Sequence, residues 1–326
     1  MKWLWPKLWD NERGGWWRVA VTVMLCIAGV LLGEGLLLAV ASAGGNEALK
    51  HLPPYFQQVV MRMGTIITSS LGLLGCMSGV HIVHHKPVAR VFTDGRPFSV
   101  MFVLQSAAIW LLLWIASVLL VPDRGQRLMH LAHELPLVGL VSVAIAMFCA
   151  TSVQGTLEEV VFRGYLQPRV GAWVKRTWVT VLIVGLFFTA AHPDAWTGPG
   201  IVYIVGFSAA LGIGGIRAGS IAPLCGIHAA NNAMEWLWFP NDSLRMVTWP
   251  IAAVTVTALL LWLAWLFWMT RPKAVKNPLR QNTRQSPNVA PEPTAAGPSA
   301  YGRGGRFAAP RFRRRSVSGG CGSAFR

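Results

Sequence analysis

Apolar residues run along most of this chain in blocks of roughly 20, broken by short polar segments. A block of that length crosses the hydrocarbon core of a bilayer as an α-helix. Eight such blocks are legible, at about 19–43, 63–83, 98–121, 135–160, 177–197, 200–217, 219–238 and 249–269. Lipid-facing backbone satisfies its hydrogen bonds in a helix or a closed barrel, and the short alternation of barrel strands is absent. The pattern predicts an all-α fold, a polytopic membrane helical bundle with about eight transmembrane helices within residues 1–270.

The first block, "VAVTVMLCIAGVLLGEGLLLAVASA", ends in small residues as a signal peptide does. Its apolar run exceeds the roughly 7–15 residues of a signal core, so an uncleaved helix is expected. The preceding "MKWLWPKLWDNERGGWWR" mixes Trp with charge and reads as an interfacial anchor. Along 200–217, Gly206, Ala210, Gly214 and Ala218 recur at four-residue spacing, a face of small residues that lets another helix approach. The adjacent "GIGGIR" lacks the last glycine of a GxGxxG fingerprint and is assigned to packing.

Composition agrees with a membrane protein. Residues are 53% hydrophobic and 13% charged, against about 25% charged in soluble domains. The 16 Trp suit the lipid–water interface. The net charge of +16 is unevenly placed, with +11 of it in residues 270–326. With the N-terminus placed in the cytoplasm, 24 Lys and Arg fall on the cytoplasmic side and five on the other. The positive-inside rule therefore predicts a multi-pass cell (inner) membrane protein with both termini cytoplasmic.

Residues 271–326, rich in Pro, Gly and Arg, are expected to form a disordered basic tail. "RGGRFAAPRFRRR" is expected to contact anionic lipid headgroups, and nucleic acid is the less favoured partner. Cys321 is followed by five residues, so the chain does not end in a CaaX box. Cys26, Cys76, Cys149, Cys225 and Cys321 form no CxxC and read as structural thiols.

Three polar clusters interrupt the apolar blocks: Glu158, Glu159 and Arg163 in "GTLEEVVFRGYLQ", His192 in "FFTAAHPDAW", and His228, Asn231 and Asn232 in "GIHAANNAMEW". Ionisable groups at membrane depth are costly and usually face a cavity where they carry function. Glu159 and Arg163, four apart, share a helix face and can pair. Glu158 lies about 100° around the helix and lacks that partner. A carboxylate held in a partly desolvated cavity suits a general base. His228 and Asn232, also four apart, can present an imidazole and an amide to one point.

This set permits amide hydrolysis without a Ser or Cys nucleophile. Glu158 can take a proton from water with His192 assisting, and His228 and Asn232 can donate to a developing oxyanion. Alternatively Glu158, His192 and His228 are ligands that zinc accepts, so the cofactor is either none or Zn²⁺. No GxSxG or HExxH occurs. A non-catalytic scaffold, or a transporter binding an ion or solute at the cluster, is the rival reading.

"EEVVFR" resembles the EExxxR element of the type II CAAX prenyl endopeptidases and their bacterial relatives, the CPBP (Abi) family of intramembrane proteases. "FTAAH" resembles that family's FxxxH element and "HAANN" its HxxxN element, in the same order, over residues 152–239. The resemblance implies an endopeptidase, with its core at about 135–240, acting on a membrane-associated or lipidated peptide. By resemblance Glu158 is the water-activating carboxylate and His192 its partner. His228 and Asn232 match the oxyanion pair, and Glu159, Arg163 and Phe188 the remaining motif positions.

Depth adds a condition. His192 lies about 15 residues into its block, roughly 22 Å at helical rise, while Glu158 lies near the end of its own. The two meet only if the helix carrying Glu158 runs on, and "VFRGYLQPRV" is helix-compatible as far as Pro168.

Overall fold

The computed structural model describes residues 15–94, 97–122, 135–238 and 247–271, together with positions 126, 129 and 133. The N-terminal anchor up to residue 14 and the tail from 272 lie outside the described residues.

The eight apolar blocks correspond to eight helical segments. Helix α1 (Trp16–Val40) continues through a π-helical turn (Ala41–Gly45) into the short α2 (Asn46–Lys50). Helix α3 (Pro54–Ser78) ends in a π turn (Gly79–Val83), and α4 spans Val100–Leu120. Helix α5 (Leu137–Glu159) runs through a π segment (Val160–Leu166) into α6 (Gln167–Val174). Then come α7 (Thr177–Ala190), α8 (Gly198–Ala218), α9 (Ala222–Trp238) and α10 (Trp249–Met269). Among the described residues there is no strand, only an isolated bridge between Thr93 and Ser220.

Six of these stretches are long and apolar enough to cross a membrane. The two shorter ones fall short for different reasons. Helix α7 has 14 residues, because Pro193 disfavours helical backbone at His192. Helix α9 has 17 residues and is the central rod: every residue from Ile221 to Asn231 is buried. Its surroundings are protein rather than lipid, which is why it tolerates polar residues.

The outer helices expose their apolar side chains, for example Leu119 at 87% and Val138 at 78%. A soluble monomer does not carry an apolar belt of this kind; here lipid is the solvent. Two helix starts are capped by side-chain hydroxyls. Ser99 Oγ accepts from Phe102 N at 3.2 Å, and Thr197 Oγ1 from Gly200 N at 3.2 Å.

Small residues set the helix spacing. The expected face on α8 meets α10: a Cβ on Gly206 would lie 3.2 Å from Val256 Cγ2, and one on Gly214 would lie 2.7 Å from Trp262. Gly155 on α5 performs the same service for α9, since a Cβ there would lie 3.3 Å from the Cβ and Cγ of His228. That approach brings the helix carrying both glutamates against the helix carrying His228.

Candidate active site

The two glutamates end α5 and the arginine follows inside the π segment. A π turn widens the helix locally and recurs at functional sites. It falls before Pro168, so the proline lies in the first turn of the helix that follows, where its missing N–H is tolerated. The helical stretch therefore continues to Val174, and Glu158 meets His192.

The glutamates face different partners, as their 100° offset requires. Glu159 is fully buried. Its Oε1 accepts from His228 Nδ1 at 2.6 Å and from Arg163 Nη1 at 3.3 Å. Arg163, also buried, donates through Nη2 to the Ser208 hydroxyl at 3.0 Å and to the Ser208 carbonyl at 3.3 Å. Its guanidinium lies 4.2 Å above the centroid of the Phe188 ring. A buried charge is tolerable when paired and hydrogen-bonded on several sides, as here.

Glu158 sits at the wetter edge, with a side chain 15% exposed beside His192 at 24%. Its Oε1 accepts from Gln154 Nε2 at 3.1 Å. Its Oε2 stands 3.5 Å from His192 Nε2 and 3.5 Å from His228 Nε2. Both rings are oriented from behind. His192 Nδ1 lies 2.7 Å from the Phe188 carbonyl, which can only accept, so Nδ1 carries the proton. His228 Nδ1 is in the same position towards the Glu159 carboxylate. Each histidine thus turns Nε2 to Glu158, and three groups able to bind or pass a proton converge on one point.

His192 is not inside a helix, as its apolar surroundings suggested. It begins the 3₁₀ turn Pro193–Ala195 just after α7. Phe188, one turn earlier, lies against three of the site's side chains. Its ring is 4.5 Å from that of His192 and 6.1 Å from that of His228, and it stacks on Arg163.

Beside the histidines is a cavity of about 370 Å³, and Asn232 lies on its wall. Asn231, next to it, is tied differently: its Oδ1 accepts from Tyr203 Oη at 2.9 Å. Tyr203, Glu235, Arg62 and Gln154 also line this cavity and were not singled out from the sequence. Glu235 had a signal, being an acid seven residues after His228 on the same helix. Arg62 and Tyr203 had none, because they come from helices outside the third cluster.

The donor types at Glu158, His192 and His228 are those zinc accepts. Among the described residues, however, no group of three or more His, Cys, Asp or Glu side chains is disposed to hold a metal ion.

Residues 140–234 match the family model described as type II CAAX prenyl endopeptidase Rce1-like. The match covers 95 of the 326 residues and supports a likeness to CAAX-type proteases over that region. The matched region runs from the first turn of α5 to α9, so it contains all three polar clusters and leaves α1 to α4 outside. Neither the curated proteins nor the solved structures include a match to the chain. This match together with the apolar helices supports a multi-pass membrane protein of protease type, with the bilayer and a peptide as its partners.

Proposed function

We propose that this protein is an intramembrane endopeptidase of the CPBP type in which Glu158 activates water. The observation that carries the reading is the convergence of Glu158 Oε2 with two histidine nitrogens at 3.5 Å on the edge of a cavity. A water held there donates a proton to Glu158 and attacks the substrate carbonyl carbon. The oxyanion that forms is held by His228 Nε2–H and by the Asn232 amide. His228 does this in its doubly protonated form, its ring held by the hydrogen bond from Nδ1 to Glu159. Glu158, assisted by His192, then returns the proton to the leaving nitrogen, the C–N bond breaks, and an amine and a carboxylate leave.

Glu159 and Arg163 take no part in proton transfer in this scheme. They hold His228 in place. The substrate is a peptide bond near a membrane-anchored segment, and the chain sits in a cell membrane with both termini cytoplasmic. A transporter would be expected to pair broken helices in two repeats; the sequence offers no convincing pair. The test is cleavage of a membrane-tethered peptide library by purified protein. Glu158→Gln should abolish turnover while thermal unfolding stays that of the parent. Equal cleavage by parent and variant rejects the assignment.

A further inference from the structure

The Glu158 carboxylate is held unevenly. Its Oε1 takes Gln154 Nε2 at 3.1 Å, whereas its Oε2 stands 3.5 Å from each histidine Nε2, beyond the usual N–H···O length. The last torsion of a glutamate is broad and nearly two-fold, so an unanchored carboxylate can exchange its two oxygens. Gln154 is four residues before Glu158, one turn back on the same helix face. Its bond to Oε1 opposes that exchange and leaves Oε2 turned to the two imidazoles.

The same contact fixes the polarity of the Gln154 amide. A carboxylate only accepts, so the NH₂ end must face it. Gln154 Oε1 is thereby committed to the other side, where it is buried without a hydrogen-bond partner among the described residues. Buried acceptors are usually satisfied, and stranding one is costly. Turning the amide over would set two acceptor oxygens against each other. An apolar side chain of similar length would fill the space without stranding a carbonyl, so packing alone does not account for a glutamine here.

The backbone of Gln154 is fixed as well. Next to it on α5, Thr151 Oγ1 lies 2.9 Å from the Ala229 carbonyl of α9, and Gly155 admits His228 closely. Gln154 also lines the cavity together with His192, His228 and Asn232. Its amide is therefore on the reacting side of Glu158.

We infer that Gln154 is a positioning residue for the reaction: its amide N–H anchors Glu158 Oε1, so that Oε2 is the oxygen presented to water and to the two histidines. The role in turnover rests on the hydrolytic reading of Glu158; the anchor itself does not.

The experiment uses the full chain in nanodiscs with a membrane-tethered peptide. Gln154→Met keeps the length of the side chain and loses the donor. Gln154→Glu keeps its shape and sets an acceptor where the donor was. Gln154→Met is expected to lower kcat about 10–100-fold with KM nearly unchanged, the scale of a misplaced catalytic group. Gln154→Glu is expected to lose more, although it is the closer in shape. Parent-level kcat in Gln154→Met, or a smaller loss in Gln154→Glu than in Gln154→Met, overturns the inference and leaves proteolysis standing.

Thermal unfolding supplies an arm that needs no activity. Gln154→Met should lower the unfolding midpoint of the parent, because it strands Glu158 Oε1. In a Glu158→Ala background it should leave the midpoint unchanged or raise it, because the amide there has no carboxylate to hold. An equal drop in both backgrounds overturns the inference. If the two backgrounds differ as expected while the parent cuts no peptide, the proteolytic reading fails and the anchor on Glu158 stands.

Discussion

Glu159 Oε1 lies 2.6 Å from His228 Nδ1, joining α5 to α9 across 69 residues of sequence. The same oxygen takes Arg163 at 3.3 Å, so one buried carboxylate is shared between a cation of its own helical stretch and the imidazole of another helix. Removing that charge strands Arg163 and releases His228. Glu159→Gln is expected to lose about 3–5 kcal/mol of stability, the usual result of breaking a buried ion pair from one side. Thermal unfolding in detergent reads this, and an unchanged midpoint would contradict the role.

Asn232 should act on the transition state and little on substrate binding. Asn232→Ala is expected to lower kcat by about 10²–10³-fold with KM nearly unchanged, as when one oxyanion donor is lost. A rise in KM at constant kcat would instead make Asn232 a binding residue.

Gly155 controls the distance between the two catalytic helices. A methyl group there already sits 3.3 Å from His228, so Gly155→Leu must displace the imidazole. Overpacking of this kind costs about 1–3 kcal/mol, and the loss of activity should exceed what so modest a destabilisation explains. Activity at the parent level in a folded Gly155→Leu variant would show that His228 tolerates displacement.

Metal analysis separates the two chemistries open to the Glu158, His192 and His228 trio. Active purified protein is expected to hold far less than one zinc per chain and to survive chelation. About one zinc per chain, with reversible loss of cleavage on chelation, would assign these residues as ligands.

The basic tail lies outside the described residues, and its expected behaviour follows from charge alone. Each Lys or Arg near an anionic surface is worth about 1 kcal/mol, fading within a Debye length. A chain stopped after Lys276 should keep its unfolding temperature and its cleavage in nanodiscs. It should lose only salt-sensitive attachment to anionic lipid. Failure to fold, or loss of cleavage at both low and high salt, would place the tail in the functional core.

The sequence by itself determined the all-helical membrane architecture, because apolar block length is a local property set by bilayer thickness. It also determined the Glu159–Arg163 pair, since a four-residue spacing fixes a shared helix face whatever surrounds it. The continuation as far as Pro168 was legible as well, because that stretch remains helix-compatible; the further run to Val174 was not.

Only the tertiary structure decided what each glutamate meets on other helices. Helical spacing separates Glu158 from Glu159 but says nothing of which helix each will face. That choice was made by Gly155, which admits α9 closely enough for His228 to touch both carboxylates. The cavity was equally hidden. Arg62, Tyr203 and Glu235 sit on three different helices, and close packing, acting across long stretches of chain, is what gathers them on one wall.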